Sequence, residues 1–182
     1  MQPVKRLIYS LHDFASAERY LFTPADLRAL LPDLSAAAFK TLLSRAVKAG
    51  YLARVCRGLY LYDRVDYPRG LLLFHAAARL RADTFNYISL ETALSDAGVI
   101  SQVPINWITM MSSGRSNSIR CGDWGVIEFV HTSRGPDDVA AQLQYDSRCH
   151  LWRASVELAL RDMRFTHRSM DMIDWSAVNE FV

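Results

Sequence analysis

Lysine disappears from this chain after Lys48, and cysteine is scarce and scattered. Cys56, Cys121 and Cys149 are the three cysteines, with no C-x-x-C spacing among them. An odd, unpaired set of this kind argues against a disulfide framework and suits a reducing cytoplasm. No apolar run approaches the roughly 18 residues a membrane span requires. The opening MQPVKRLIYSLHDF is too short and too interrupted for a signal peptide. The expectation is a cytoplasmic protein with no membrane partner.

Catalytic patterns are missing as well. There is no Walker-type or Rossmann glycine pattern and no Gly-x-Ser-x-Gly elbow. Cys149 and His150 are adjacent, which leaves no loop to wrap a tetrahedral metal, and His131 and His167 lack ligand-spaced neighbours. A nuclease would pair strand-borne carboxylates with a lysine. Asp123 and Glu128 form the one strand-adjacent carboxylate pair, and no lysine accompanies them. No catalytic residue, metal or cofactor is expected. Internal repeats and low-complexity segments are absent too.

The most informative absence is local. Ser35 to Tyr62, SAAAFKTLLSRAVKAGYLARVCRGLYLY, contains no carboxylate but carries Lys40, Arg45, Lys48, Arg54 and Arg57. Residues 1–68 hold ten Lys/Arg against six Asp/Glu, whereas residues 69–182 hold eleven against thirteen. A helix and hairpin cleared of negative charge form a surface suited to a polyanion.

The order of elements around this stretch points the same way. Val4, Leu7, Ile8, Leu11 and Phe14 lie at helical spacing and predict one amphipathic helix with a buried stripe. Thr23 is then an N-cap, Pro24 a first helical residue and Asp26 a first-turn acid, starting a helix that buries Leu27, Leu30 and Leu31 and stops at Pro32. Ser35 caps a third helix with Phe39, Leu42, Leu43, Ala46 and Val47 on its apolar face, and Gly50 ends it. Tyr51–Val55 and Leu59–Tyr62 have strand composition about a Cys56-Arg57-Gly58 turn. This is a winged helix-turn-helix. Ser35, Ala36, Lys40, Thr41, Ser44, Arg45 and Lys48 on the third helix, with Arg54 and Arg57 on the wing, are the candidate DNA-binding residues. The small, polar first half of the helix suits a major groove, and Arg57 at the wing tip suits phosphates or a minor groove.

Pro68 and Gly70 suggest a boundary near residue 68, dividing a DNA-binding domain, 1–68, from a second domain, 69–182. Leu71–Leu80 reads as a nearly all-apolar helix, expected between the two units or in the core, with His75 a satisfied core histidine. In Asn86–Gly98, Ser89 caps a further helix. Trp107–Met111, a short strand near Ser118–Arg120 and Val126–Val130 form a small antiparallel sheet, joined by the polar loop 112–118 and a Gly-Asp-Trp-Gly turn. Asp137–Leu143, Arg153–Met163 and a last segment from Asp174, burying Trp175, Val178 and Phe181, are helical. The fold class is α+β.

These motifs in this order resemble the AbiEi antitoxins of type IV toxin–antitoxin systems. FTPADLRALLPDLSAAAFKTLLSRAVKAGYLARVCRGLYLY looks like their winged-helix domain. YISLETALSDAGVISQVP (87–104), WITMMSSGRSNSI (107–119), WGVIEFVHT (124–132) and RASVELALRDM (153–163) resemble the second domain: a tyrosine-serine-leucine helix, a strand ending in a Ser/Thr-Gly-Arg loop, a strand closed by histidine, and a helix ending Ala-Leu-x-Asp. The resemblance implies a repressor that binds repeats of double-stranded DNA in its own promoter. It also implies an operon-linked nucleotidyltransferase toxin of AbiEii type, opposed without a stable complex. Repeated operators call for cooperative binding or a weak homodimer. The chain is short after the Ala-Leu-x-Asp helix, so a longer toxin-countering extension is not seen. Two further readings stand beside this one. In a protein-interaction module, the winged helix or the loop with Ser113 and Arg115 would grip a toxin, another regulator or a phosphate. In a cryptic hydrolase or nuclease, turnover would depend on Asp123 or Glu128.

Overall fold

Leu7 and Leu11, about one helical turn apart, are fully buried on α1 (Pro3–Phe14). The computed structural model describes residues 2–101 and 105–181, so the end of the 87–104 motif, residues 102–104, lies outside the described residues. The chain divides into two compact units, Met1–Leu72 and Leu73–Val182. Its mixed helix-and-sheet composition is the expected α+β class.

In the first unit α1 packs on α3 (Ala36–Lys48). Phe14, expected in the buried stripe of α1, is 55% exposed. It is the last helical residue, and Ala15 leaves in an extended conformation before the stripe can continue. Between these helices lies α2 (Pro24–Ala29), started by a reciprocal capping box. The Thr23 hydroxyl oxygen accepts from Asp26 N–H at 3.2 Å, and an Asp26 carboxylate oxygen accepts from Thr23 N–H at 2.7 Å. The Ser35 hydroxyl caps α3 in turn, accepting from Ala38 N–H at 3.2 Å. A Schellman turn closes α3: Tyr51 N–H bonds Ala46 O at 2.9 Å and Gly50 N–H bonds Val47 O at 3.0 Å. Gly50 takes a φ of 73°, which lets the chain reverse into the hairpin.

Three short strands complete the unit: β1 (Leu21–Phe22), β2 (Ala53–Cys56) and β3 (Leu59–Leu61), antiparallel in the order β1-β3-β2. Arg54 opposes Tyr60 and Cys56 opposes Leu59, so Val55 is an extra residue bulged into β2. The bulge allows neighbouring Val55 and Cys56 both to be buried, which strict alternation forbids. One core of Leu7, Leu11, Leu27, Phe39, Leu42 and Ala46, with others, joins the three helices to Leu52 and Tyr62 of the hairpin.

The second unit begins within α4 (Leu72–Leu80) and continues through β4 (Asn86–Ile88), α5 (Leu90–Asp96), β5 (Trp107–Ser112), β6 (Asn117–Arg120) and β7 (Val126–His131). It ends with α6 (Pro136–Val139), β8 (Leu143–Asp146), β9 (Leu151–Ala154), α7 (Val156–Phe165) and α8 (Trp175–Val178). The sheet order is β6-β7-β5-β4-β9-β8. It has six strands and is mixed, since β5–β7 and β4–β9 run parallel, where a small antiparallel sheet was expected. β4, β8 and β9 are three or four residues long, too short to show a period of their own, and only their long-range partners define them. Arg153 and Ala154, expected in the helix, belong to β9; Ser155 caps α7, which starts at Val156. α5 and α7 pack on each other, and α5 on β5. Near the C-terminus Val178 is buried, but Trp175 and Phe181 are 47% and 53% exposed, so the expected stripe reduces to one residue. A four-residue helix cannot carry a longer one. No helix among the described residues is long and apolar enough to cross a membrane.

Candidate nucleic-acid interface

With Phe39, Leu42, Leu43 and Ala46 turned into the core, the helical period leaves Lys40, Thr41, Ser44, Arg45 and Lys48 exposed along the other side of α3. Lys40, Ser44 and Lys48 follow one another at four-residue spacing. Thirteen residues make a rod about 20 Å long. Ser35 and Ala36 are exposed where it starts. Ser35 has its hydroxyl oxygen engaged as the cap, and the Thr41 hydroxyl donates to Ala37 O at 3.0 Å. Among the described residues, the side chains left with unshared donors on this face are therefore Ser35, Lys40, Ser44, Arg45 and Lys48. On the hairpin, Arg54 and Arg57 are exposed, Arg57 beside Gly58, whose φ of 82° forms the two-residue turn.

What sets this surface apart is that its unpaired cations share a stretch without any carboxylate. Among the described residues, Lys40, Arg45, Lys48, Arg54 and Arg57 make no ion pair. Arg19 and Arg64 in the first unit and Arg115, Arg120 and Arg164 in the second also lack ion pairs among the described residues. In the second unit at least five of the ten arginines form ion pairs. Arg134 pairs with Asp162, Arg148 with Asp146, Arg153 with Asp96 and Asp146, Arg161 with Glu157, and Arg168 with Glu91 and Glu128. In the first unit Arg6 on α1 forms a bidentate pair with Asp33 in the turn before α3, at 2.7 and 2.8 Å. The Arg6 hydrogen bonds hold the Asp33 carboxyl below its ordinary range. Arg28 is turned inward, with its guanidinium over the Phe39 ring and bonded to Leu31 O.

The distal motif residues converge into two polar networks. In the first, the Asp162 carboxylate on α7 is fully buried. It accepts from the Ser89 hydroxyl at 2.7 Å, the Tyr87 hydroxyl at 3.1 Å and Arg134 at 2.6 Å. Burial first, and then the Asp162 charge, push the Tyr87 phenol above its ordinary range, which keeps it a donor. Ser89 stands at the N-cap position of α5 but, contrary to expectation, does not cap it, because its hydroxyl is spent on Asp162. Thr109 on β5 serves instead: its hydroxyl oxygen accepts from Thr92 N–H at 3.1 Å and its proton goes to Ser89 O at 2.8 Å.

The second network holds the loop between β5 and β6. Arg81 donates to Ser112 Oγ at 2.7 Å, and to Arg115 O and Asn117 Oδ1 at 2.6 Å each. Its guanidinium lies 4.0 Å from the Phe129 ring centroid. Gly114 is needed because a Cβ there would stand 2.9 Å from Arg81. The His131 Nδ1–H donates to Gly114 O at 2.9 Å. Ser113 and Arg115 are thus exposed on a backbone pinned from below. Reading along the chain did not find Arg81 or Asn86, whose side-chain carbonyl accepts from Ser112. Both lie far upstream of the loop, and no local pattern marks them.

The two carboxylates considered for catalysis lie in different settings. Glu128 accepts from Arg168 and from Trp107 Nε1, while Asp123 is exposed in the 3-10 turn Gly122–Trp124. Among the described residues no three His, Cys, Asp or Glu side chains gather as a metal site. His75 is buried, with Nε2–H donating to Arg148 O at 2.6 Å, as expected of a core histidine. The three cysteines are buried, and burial pushes the Cys149 thiol up to about 11.

Three helices, the second and third joined by a tight turn, followed by a three-stranded sheet with a basic hairpin, define a winged helix-turn-helix. Residues 10–62 match the family model described as transcriptional regulator, AbiEi antitoxin, and the resemblance read from the sequence holds over that segment. None of the curated proteins matches the chain.

Proposed function

We propose that the protein is a sequence-specific DNA-binding repressor, an autoregulating antitoxin that binds repeats in its own promoter. α3 enters the major groove, with Lys40, Thr41, Ser44 and Arg45 nearest the bases and Lys48 alongside, while Ser35 and Ala36 allow its N-terminal end to approach. Arg54 and Arg57 on the wing hold phosphates. The observation that carries this reading is the contrast in pairing. Five exposed cations without ion-pair partners among the described residues lie on one carboxylate-free helix and hairpin, whereas Arg134, Arg148, Arg153, Arg161 and Arg168 of the second unit are neutralised by carboxylates within it. In the same reading the operon partner is a nucleotidyltransferase toxin of AbiEii type, countered without a stable complex. Repeats are occupied cooperatively or by a weak homodimer, and the protein works in the cytoplasm.

The test is fluorescence anisotropy on the DNA upstream of its gene, with a scrambled competitor and a salt series. If Lys40, Arg45 and Lys48 neutralise phosphates alongside Arg54 and Arg57, the slope in log K against log salt is about −4.5. Lys40→Ala and Arg57→Ala are each expected to reduce that slope by about 1. No preference over the competitor would end this reading, and unchanged slopes in both variants would end the residue assignment.

A protein-interaction module is the second reading, favoured by the exposed Ser113 and Arg115 on a rigidly held loop. A partner retained at high salt, and lost in Arg115→Ala, would support it.

A further inference from the structure

A cleft of about 480 Å³ opens in the first unit, between the N-terminal end of α1 and α3. That volume falls within the range of about 300–1,000 Å³ seen for small-ligand sites. Val4, Leu34, Ala38 and Leu42 make much of its wall apolar, and Thr41 and Arg45 are its polar members on α3. The Thr41 proton is already given to Ala37 O, so the charged group able to recognise an anion is the Arg45 guanidinium, with the neutral Gln2 amide as a further lining donor. Among the described residues Arg45 makes no ion pair and is the one cation lining the cleft.

We propose that this cleft is an effector site for a small organic monoanion, whose compact apolar body fills the cleft and whose carboxylate or sulfonate sits on Arg45. The match is one of shape and charge together. Apolar walls reward a ring or short hydrocarbon body, and a single guanidinium balances a single negative charge. A polyphosphate would leave most of its charge uncompensated there. Arg45 and Thr41 also belong to the face of α3 assigned above to DNA. A molecule seated in the cleft occupies Arg45 and competes with the operator, so the repressor is released by its effector. That regulatory consequence rests on the DNA-binding reading; the binding itself does not.

The experiment is therefore made first without DNA. The full ¹⁵N-labelled chain is titrated with 8-anilinonaphthalene-1-sulfonate, and separately with inorganic phosphate, and backbone amide shifts are followed. Saturable shifts from the sulfonate, confined to the first turn of α1 and to residues 34–45, are expected. Ala38 and Arg45 are both exposed, so Ala38→Trp can fill the cleft and Arg45→Gln can remove its charge without touching the core. Ala38→Trp should abolish the shifts, and Arg45→Gln should weaken binding by about tenfold, the effect of one charge-assisted hydrogen bond. The proposal fails if no saturable shift appears, if both variants bind the probe like the parent, or if inorganic phosphate produces the same shifts with equal affinity, which would make the cleft a phosphate seat. The second stage repeats the operator titration with and without the probe. A fall in operator affinity in the parent, absent from Ala38→Trp, supports effector release; equal affinities with and without the probe overturn it. A chain that takes the probe in the cleft yet shows no operator preference upholds the binding site and removes the DNA-binding reading instead.

Discussion

Replacing Asp162 by alanine should come close to unfolding the second unit while leaving the first intact. The carboxylate is fully buried and serves three donors at once: Ser89, Tyr87 and Arg134. Ser89 and Tyr87 are themselves without solvent access, so each hydroxyl would be stranded at a cost of about 1–3 kcal/mol. The side chain of Arg134 is 22% exposed and can turn part of its charge to water, which places the loss from the broken pair at the lower end of about 3–5 kcal/mol. These losses share one centre and will not add in full, so about 4 kcal/mol is expected, against a total of about 5–15 kcal/mol for a typical domain. Arg134→Met should cost about 3 kcal/mol by leaving a buried carboxylate without its counter-charge. The double variant Asp162→Asn with Arg134→Met should recover at least about 1 kcal/mol relative to the sum of its singles, because the neutral amide no longer requires the guanidinium. The assay is built into the chain. Trp107, Trp124, Trp152 and Trp175 are the four tryptophans, and they lie in the second unit, so urea unfolding followed by tryptophan emission reports on that unit. A destabilisation by Asp162→Ala below about 1 kcal/mol, or additive single and double variants, would refute the claim that this network holds the unit together.

Three other outcomes follow from particular contacts. Gly125 has a φ of 123°, and a Cβ there would stand 2.0 Å from Asn106 O, the acceptor for Val126 N–H, so Gly125→Ala should lower stability by at least about 2 kcal/mol in the same urea assay. His167 ends α7 with a φ of 54° in a Schellman turn, so His167→Gly should stabilise by about 0.5–1 kcal/mol; a loss would show that its side chain contributes more than its backbone strain removes. Burial first, and the nearby His150 second, lower the His75 pKa against the opposing bond to Arg148 O, so the folded protein prefers the neutral ring. The unfolded chain then takes up the proton first on acidification. The His75 contribution is full above about pH 6.5 and is lost as pH falls from there through the lowered folded value. His75→Gln should flatten the urea midpoint between about pH 7.5 and 5, and an unchanged slope would reject the assignment.

The winged helix was legible because its signals are local. Thr23, Pro24, Ser35 and Gly50 are caps and stops that act within one helical turn, and the apolar face of α3 declares itself by its period. Depletion of carboxylates from residues 35–62 is likewise a property of the chain before it folds. The second unit was harder to read for the opposite reason. Its sheet is held by strands of three to six residues, two of its strand pairs run parallel, and its loop is held by Arg81 from a distant helix end. Ser89 shows the limit within a single residue. Its position and type mark a cap, yet its hydroxyl turns to Asp162, 73 residues away, because burying that carboxylate demands every available donor.

Sequence alone therefore determined the helix-turn-helix, the hairpin and the uncompensated positive charge between Ser35 and Tyr62, since capping, periodicity and composition operate over a few neighbouring residues. The tertiary structure decided which cations stay unpaired, which motif residues meet around Asp162 and Arg81, and where a cleft opens beside α3. Those outcomes depend on side chains brought together from remote parts of the chain, and only the folded core fixes their distances.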